Sequence, residues 1–426
     1  MFITFHRRSK NLDKTIVFIG DMNGNSQALA RRFVDLGFKC EIIPFYEDYV
    51  NSSHFKYTRH QSNIFVHDDA TIYNGYPVLS FSFFWGIIVR FFLNLIFKIK
   101  NRPLQTSKAK LQQLVKRNEL IIVGTGISPL LLKYLGRPLD IYYPSSQGVE
   151  FIGSPEGQEN ARQNILRLFL HKLIKRKMIN ALKNVKLVLN SDVGLTHETL
   201  SKMNLQNYLL DLIPFVDPFN YQVNRLSKPK HSFKLVMFSR LHWVRPDGYD
   251  EENWKYESKN NDLFLLAFAN FISDSQIKNV ELTIVEYGKD IAATRALVRN
   301  IGLTECVKFH PIVPKQDILT FLNNHDILIG EFYKHNVSIG GSGLEALQLR
   351  KPFLNGGWIV SDKKQRLRSK PPIYFCNTET DIRQTLTNLI INGHDPLSGE
   401  RNSFYEDLKS NIIIKSWLTF FQDGVT

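Results

Sequence analysis

Residues 325–356 constrain the fold more than any other stretch of the sequence. An apolar run at residues 327–329 is followed by a polar loop, then by Gly340-Gly341-Ser342-Gly343, and at once by a helical pattern that Lys351-Pro352 ends. This order of strand, glycine loop and helix predicts an α/β protein. The N–H groups at the start of such a helix lack intrahelical partners, and the helix macrodipole favours an anion there. The stretch therefore predicts an anion site at the helix N-terminus.

Glu345 falls in the first turn of this predicted helix. A carboxylate at this position can accept hydrogen bonds from vicinal hydroxyl groups, such as those of a ribose. An equally open interpretation is a tight turn in which Glu345 is an ordinary first-turn acid, favoured by the helix macrodipole. The residues of this stretch alone leave both interpretations open.

Buried strand patterns occur in two series along the chain. Residues 15–20, 120–124 and 139–143 belong to the first series, and residues 234–239 and 281–286 begin the second. Short apolar runs that alternate with helical patterns are typical of parallel sheets buried on both faces. The sequence therefore predicts two doubly wound α/β domains, with ligands beyond the carboxyl ends of the strands.

The charge and the cysteines restrict the kind of partner and the compartment. The net charge of +14 suits an anionic partner, such as a nucleotide diphosphate, a nucleic acid or an anionic membrane surface. No interleaved aromatic and basic motif is present, so we expect no nucleic acid. The three cysteines, at positions 40, 306 and 376, have no metal-ligand spacing and indicate a reducing compartment, and no metal site is expected.

Two segments of the first half suggest contact with a membrane. Residues 76–102 are apolar and aromatic and end in basic residues, but Arg90 near the middle argues against a spanning helix. Residues 164–183 predict a helix with an apolar stripe and many lysines and arginines. This helix is either a surface helix with a solvated basic face or a helix lying on an anionic leaflet. The polar, basic N-terminus shows no signal-peptide pattern, so we expect a cytoplasmic protein, peripheral on the cytoplasmic face of the membrane.

The helical pattern at residues 344–347, followed by Lys351-Pro352, resembles the donor-site signature of retaining glycosyltransferases of the GT-B fold, notably family 4. That signature has two glutamates eight positions apart, the second followed by alanine, with a proline after the helix. Glu345 and Pro352 match it, whereas Val337 stands where the first glutamate is expected. Since valine cannot hydrogen-bond a sugar hydroxyl, that contact is either missing or supplied by a neighbour such as Glu331, His335 or Ser338.

A second set of motifs extends the resemblance towards the N-terminus. Arg240, Lys259 and Asp262 fall on the family's charged motif, and Ser239 and Asn260 replace its glycines. The helix after this motif carries the matching Ala267 and Phe268, and Ile213-Pro214 and Val216-Asp217 match the family's linker motif. The resemblance implies that Arg240 and Lys259 hold the donor diphosphate. An arginine fork and a lysine charge beside a helix N-terminus suit that task.

The resemblance implies two Rossmann-like domains that face each other across a cleft. We expect an acceptor domain at residues 1–214, a donor domain at residues 215–395, and a C-terminal helix at residues 396–426 that crosses back to the first domain. The expected site has three groups of residues. They are the catalytic Arg240, Lys259 and Glu345; the donor-binding Gly341, Ser342, Gly343, Leu344, Glu286, His335 and Ser338; and, on the acceptor or cleft side, Gly20, Asn23, Gly24 and Gln147.

The implied activity is transfer of a sugar from a nucleotide-diphosphate sugar, with retention and without a required metal or cofactor. The acceptor is expected to be lipid-linked or a polysaccharide, as in polysaccharide or lipopolysaccharide biosynthesis. Two alternatives stay open. One is a non-catalytic nucleotide-sugar-binding protein, which Val337 favours; the other is a sugar-nucleotide epimerase of the same fold.

Overall fold

The structure is a computed structural model of the 426-residue chain. The residues it describes are 15–20, 25–43, 64–66, 120–126, 128–130, 137–144, 162, 165–190, 195–205, 207–210, 232–248, 251–254, 258–314, 317–332, 340–357 and 371–422.

The chain divides into two compact units. The first unit holds Met1–Asn190, Thr199–Leu209 and Trp417–Thr426, and the second holds Ser191–Glu198 and Leu210–Ser416. The domain boundaries expected near residues 214 and 395, and the return of the C-terminal helix to the first domain, stay predictions.

The first unit is built on a parallel sheet ordered β3-β2-β1-β4-β5-β6-β7. Apolar residues fill these strands because both faces of such a sheet are covered; Ile16 to Ile19 of β1, for example, are each at most 1% exposed. The strands are β1 (Thr15–Ile19), β2 (Lys39–Ile43), β3 (Ile64–Val66), β4 (Leu120–Gly124), β5 (Ile141–Tyr142), β6 (Leu187–Asn190) and β7 (Tyr208–Leu210).

Helix α1 (Asn25–Asp35) links β1 to β2, and its Leu29 and Phe33 are buried. Helices α2 (Ile165–Leu182) and α3 (Leu195–Lys202) follow β5 and β6. The C-terminal half of α2 packs on the sheet through Met178 and Leu182, which are fully buried. These contacts hold the strands of the first unit in register and leave their carboxyl ends for ligands.

The predicted apolar stripe of α2 does not all face the core. Ile174 packs against the core, but Phe169 and Leu173 are 64% and 39% exposed. Ile165, at the start of the helix, is 87% exposed. The exposed basic residues of α2 include Lys172, Arg176 and Lys177. The N-terminal half of α2 therefore carries apolar and basic side chains on its exposed side.

The second unit repeats the architecture with the order β10-β9-β8-β11-β12-β13, and all neighbouring strands of this sheet are parallel. Its strands are β8 (Phe233–Met237), β9 (Val280–Val285), β10 (Val307–His310), β11 (Ile327–Ile329), β12 (Phe353–Asn355) and β13 (Tyr374–Phe375). Its helices are α4 (Glu251–Trp254), α5 (Asn261–Ser275), α6 (Ile291–Asn300), α7 (Ile318–Asn323), α8 (Gly340–Gln348), α9 (Glu379–Leu386), a π-helical turn (Thr387–Ile391) and α10 (Ser398–Lys409). Helix α11 (Ile412–Gln422) begins in this unit, and its residues from Trp417 onwards belong to the first unit.

Aromatic packing fixes α5 on the sheet of the second unit. The rings of Phe264 and Phe268 stack with centroids 5.8 Å apart, and Phe264 stacks on Phe332 at 5.5 Å. All three side chains are fully buried. Such aromatic pairs contribute about 0.5–1.5 kcal/mol beyond the area they bury. The pairing also anchors the loop that follows β11, because Phe332 belongs to it.

The prediction of an α/β chain with two Rossmann-like sheets is confirmed. The strand β3, which has only three residues and pairs in parallel with β2, is not among the predicted strands. The predicted membrane-associating segment at residues 76–102 lies outside the described residues. Within the described part of the chain, no helix has both the length and the apolar character that a membrane span requires.

Candidate active site

The candidate site lies at the carboxyl edge of the second sheet, where the strand order reverses. The neighbours β8 and β11 are parallel but are connected in opposite directions along the sheet, to β9 and to β12. In doubly wound sheets, ligands bind beyond the carboxyl ends of the strands at this switch point. Ser239 and Arg240 follow β8, and Gly330 and Glu331 follow β11, so these residues flank the expected ligand position.

Lys259 and Glu331 form an ion pair at this edge. Lys259 Nζ lies 2.6 Å from Glu331 Oε2, and the two side chains are 20% and 21% exposed. The backbone joins the same two loops, because Phe332 N donates to Lys259 O at 2.9 Å and Asn260 Nδ2 donates to Phe332 O at 3.1 Å. The structure thus places one predicted catalytic cation beside an acid that sequence analysis considered only as a replacement for the missing glutamate.

Asn260 stands where the family motif has a glycine, and it adopts the backbone conformation that a glycine would adopt there. It has φ of 44°, in the left-handed region that asparagine tolerates better than most residues. Its side chain is held by Ser258, whose hydroxyl donates to Asn260 Oδ1 at 2.8 Å. Helix α5 begins directly afterwards, so this turn sets the position of Lys259 relative to the helix.

A buried hydrogen-bond network supports the two loops from below. Ser239, in the place of the other family glycine, donates from Oγ to Gly330 O at 2.9 Å and lies 3.2 Å from Asn261 Nδ2. Asn355 Oδ1 accepts from Glu331 N at 2.9 Å. These three side chains are at most 4% exposed, and buried polar groups with satisfied partners hold one geometry. The network therefore fixes the backbone at Gly330 and Glu331.

Helix α8 begins at Gly340, four residues earlier than the apolar pattern indicates. Residues 340–343 are therefore its first turn, and their N–H groups come before the helix's own acceptors. The prediction that Glu345 lies in the first turn is wrong, because the glycines are themselves helical. Glu345 lies in the second turn and is 6% exposed, and Leu344 is buried beside it. The predicted donor-binding Gly341 is exposed and Ser342 half-buried.

The other end of α8 closes through the backbone before Pro352 is reached. Arg350 has φ of 56°, and its N–H donates to Leu347 O while Lys351 N donates to Ala346 O. This pair of bonds is the Schellman arrangement that ends many helices. Arg401, 1% exposed on α10, donates from Nε to Arg350 O at 3.3 Å. These contacts fix α8 from its C-terminal end and hold its first turn in place.

Glu286, predicted to bind the donor, ends the strand region of β9 and is paired within the unit. Arg295 of α6 lies 2.6 Å from its Oε1 and also stacks over the ring of Phe309, 4.2 Å from the centroid. The nearby Gly288 has φ of 134°, and a Cβ there would collide with the backbone of Leu241. A glycine is therefore required at this strand end, where the chain crosses the start of the next loop.

The long loop after Arg240 is fixed at its start. Asp290 Oδ2 accepts from Trp243 N at 2.7 Å and from Val244 N at 2.9 Å, and Trp243 Nε1 donates to Thr294 Oγ1 at 3.0 Å. The ring of His242 meets that of Trp254 edge-on at 4.9 Å. Arg240 itself is exposed at the root of this loop, so its guanidinium is open to a solvent-borne anion.

Among the described residues, the contacts at the carboxyl edge of the first sheet are made by hydroxyl groups. Ser26 Oγ donates to Gly20 O at 2.5 Å and lies 2.6 Å from Tyr143 Oη. Tyr142 Oη donates to Gly126 O at 3.1 Å. Gly20, predicted at the acceptor side, has φ of 87° and donates from its N–H to Ile43 O. Sequence analysis missed Ser26 and Tyr143, since 117 residues separate them.

Several predicted site residues lie outside the described residues: His335, Ser338, Asn23, Gly24 and Gln147, together with Val337. Their roles stay predictions.

Within the described ranges, no group of three or more histidine, cysteine or acidic side chains is placed to hold a metal ion. Burial of the Cys40 and Cys376 thiols raises the pKa of each. Both cysteines are therefore held as thiols inside the sheets.

Comparison with solved structures identifies the fold. The HepE protein of Anabaena, in complex with UDP, aligns over 95% of this chain and 99% of its own, with a TM-score of 0.56 and 11% identity. Sucrose-phosphate synthase from Thermosynechococcus elongatus aligns over 96% and 98%, with a TM-score of 0.55 and 11% identity. TarM of S. aureus, in a complex that includes UDP, aligns over 96% and 99%, with a TM-score of 0.52 and 10% identity.

The chain has the GT-B glycosyltransferase fold. No protein-family model matches the sequence, and no curated protein is detectably similar to it in sequence. At identities of 10–11% the likeness describes the fold alone. The predicted GT-B fold is therefore confirmed, and membership of family 4 stays a prediction.

Proposed function

We propose that the chain is a glycosyltransferase that moves a sugar from a nucleotide-diphosphate sugar to an acceptor, with retention and without a required metal. The observation that carries this proposal is the charged edge of the second sheet. There, Lys259 and Arg240 lie on the loops after β8, and α8 begins with a first turn of glycines and serine. Structures of this fold with UDP or UDP-glucose bound support a nucleotide-sugar donor.

In this proposal, the diphosphate binds between the first turn of α8 and the two cations. The oxygen of an acceptor hydroxyl group bonds the anomeric carbon while the bond between that carbon and the diphosphate oxygen breaks. Negative charge grows on the leaving diphosphate, and the hydroxyl proton passes through the diphosphate to solvent. N–H groups at residues 341–343, Lys259 and Arg240 are donors that can stabilise that charge without reorganising. Glu345 would accept hydrogen bonds from the ribose hydroxyls through its partly buried carboxylate. The stabilisation thus comes from the two side-chain cations and the backbone N–H dipoles of the site.

The acceptor binds, in this proposal, at the first unit. At the carboxyl edge of its sheet the described contacts are those of the buried neutral hydroxyl groups of Ser26, Tyr142 and Tyr143, and the acceptor would lie outside this layer. Neutral donors and acceptors suit the hydroxyl groups of a glycan, whereas a diphosphate requires cations. A lipid-linked or polysaccharide acceptor is the class we propose.

We also propose that the first unit binds the anionic cytoplasmic face of a membrane through α2. Its exposed Phe169 and Leu173 lie among exposed basic residues, of which Arg176 and Lys177 are two. An interfacial helix buries apolar side chains while its cations remain near lipid phosphates. Each lysine or arginine near an anionic surface contributes about 1 kcal/mol.

Liposome flotation tests the membrane proposal. The wild-type protein should float with anionic vesicles and not with neutral ones, and the double variant Phe169→Ser/Leu173→Ser should float less. Replacement of Lys172 and Lys177 by glutamine should lower binding to anionic vesicles and its sensitivity to salt. If the wild-type protein floats with neither vesicle, the membrane and lipid-acceptor proposals lose their support.

Thermal unfolding with candidate donors tests the proposed activity. A nucleoside diphosphate or its sugar at about 100 times its Kd should stabilise the protein by about 2.7 kcal/mol. The ligand that stabilises most should then be incubated with glycan or lipid acceptors, and the products analysed for the anomeric configuration. Stabilisation by none of UDP, GDP, ADP and their sugars would refute the donor assignment.

The second candidate function is nucleotide-sugar binding without catalysis, and Val337 is the residue that favours it. In that case the donor stabilises the protein, but no acceptor receives the sugar. An epimerase of this fold would instead convert the donor with no acceptor present. Product analysis of the same incubations distinguishes the three activities.

A further inference from the structure

The ion pair between Glu331 and Lys259 affects how an anionic ligand binds Lys259 and how it is released. If Lys259 bonds both the carboxylate and a phosphate oxygen, each at hydrogen-bond distance, the two oxygens lie within about 5.5 Å of each other. The backbone of Glu331 is fixed, because its N–H is bonded to Asn355 and Gly356 N donates to Glu331 O at 2.6 Å, and the carboxylate itself is held by the ion pair with Lys259. An anion that binds Lys259 therefore meets a fixed negative charge.

The repulsion acts more strongly on the product than on the donor. A free terminal phosphate has a second pKa of about 6, so at pH 7 a nucleoside diphosphate carries about one more negative charge than its sugar ester. The extra charge lies on the phosphate nearest the transferred sugar. Near a partly buried carboxylate the effective dielectric is well below that of water, so this charge interacts strongly.

We propose that Glu331, through its ion pair with Lys259, makes the site bind the nucleotide sugar in preference to the nucleoside diphosphate that remains after transfer. Glu331 holds the ammonium of Lys259 towards the ligand and opposes the charge that transfer creates. Glu331 is thus a positioning residue that promotes product release. This inference rests on the proposed function, because it requires a nucleotide sugar at this edge.

Calorimetric titration of Glu331→Gln with UDP and UDP-glucose tests the inference, and the pairs of GDP and ADP ligands follow if UDP does not bind. The variant should bind the diphosphate more tightly than the wild-type protein does and its sugar with little change, so that the ratio of the two affinities shifts about tenfold. In steady-state assays the variant should show stronger product inhibition. Glu331→Asp keeps the charge and should return the ratio towards the wild-type value.

Glu281→Gln is the matched control. It removes one carboxylate from another lysine pair of the same unit, in which Glu281 Oε2 lies 2.5 Å from Lys308 Nζ, and it should leave the ratio unchanged. Thermal unfolding without ligand checks that each variant is folded; if Glu331→Gln does not fold, the ratio measured for Glu331→Asp decides.

Four results would overturn the inference. Equal weakening of both ligands would make Glu331 only a support for Lys259, and weakening of the sugar nucleotide alone would make it a sugar contact. Equal tightening, or no change, would mean that the carboxylate does not discriminate. If the wild-type protein binds none of the ligands, the proposed function has failed, and that result appears before any variant is measured.

Discussion

The two units have similar strand orders but different side-chain contacts at the carboxyl edges of their sheets. In each, the first strand of the unit lies beside the strand at which the order reverses: β1 beside β4, and β8 beside β11. At the carboxyl edge of the first sheet the described contacts join hydroxyl groups and backbone, as between Ser26 and Tyr143. At the second edge an ion pair joins two loops. In the described residues, the same architecture thus has neutral contacts at one edge and a charged pair at the other.

The contrast between the two edges indicates that the fold determines where a ligand binds, whereas the loop residues determine which ligand binds. The charged edge suits a diphosphate, and the neutral edge suits an uncharged hydroxyl compound.

The largest expected effect is a pH-dependent loss of stability confined to the second unit. His325 is 7% exposed, and burial lowers its pKa from 6.5 to about 4. Since the folded pKa lies below the unfolded value, the stabilisation is present above pH 6.5 and is lost as the pH falls towards 4. The loss should reach about 3 kcal/mol. Thermal unfolding from pH 7.5 to 4 measures it.

His325→Gln should flatten this pH dependence. His394→Gln, at an exposed histidine of the same unit, should leave it unchanged. A slope that survives in His325→Gln would mean that other groups cause the acid sensitivity.

The next effect is on diphosphate binding. Lys259→Ala and Arg240→Ala should each weaken binding of a nucleoside diphosphate by roughly 1.5–3 kcal/mol, the range for hydrogen bonds to charged groups. Ser26→Ala, at the neutral edge, should leave the affinity unchanged. Calorimetry of the three variants compares the two edges directly.

Lys308→Ala controls for the loss of a lysine elsewhere in the second unit, since Lys308 is paired with Glu281. Equal losses in Lys308→Ala and Lys259→Ala would indicate a general charge effect. No loss in either Lys259→Ala or Arg240→Ala, with folding intact, would remove the donor-site assignment.

The sequence predicted the two sheets because buried strands such as β1 and β8 are continuous apolar runs bounded by turns. The resemblance to the family's charged motif pointed to Lys259 and Arg240, and their roles stay predictions. The sequence could not predict that Glu331 pairs with Lys259, because the two are 72 residues apart and only the pairing of β8 with β11 brings their loops together. The three-residue β3 is too short for a periodic pattern.

The position of Glu345 was wrong for a local reason. Glycine is a poor helix former, so residues 340–343 were interpreted as a loop. A helix N-terminus tolerates glycine because its N–H groups need no intrahelical partner. The helix therefore begins earlier, and Glu345 moves one turn inward.

The smallest effect concerns Glu345 in its new position. If it accepts from ribose hydroxyls, Glu345→Gln should weaken binding of UDP or GDP by about 1 kcal/mol and barely affect inorganic pyrophosphate. Both ligands would bind the charged edge through their phosphate groups, but only the nucleotide carries a ribose. Equal losses for both ligands would make Glu345 a structural residue of α8.

The most direct test of the comparison is hydrogen exchange measured by mass spectrometry with and without a saturating nucleoside diphosphate. N–H groups without intrahelical partners exchange readily in the free protein. The ligand should slow exchange at residues 340–343 and at the loops around Lys259 and Glu331. The exchange rates of residues 25–30 of the first unit should stay unchanged. Protection confined to the first unit, with none at the start of α8, would contradict the assignment of the donor to the second unit.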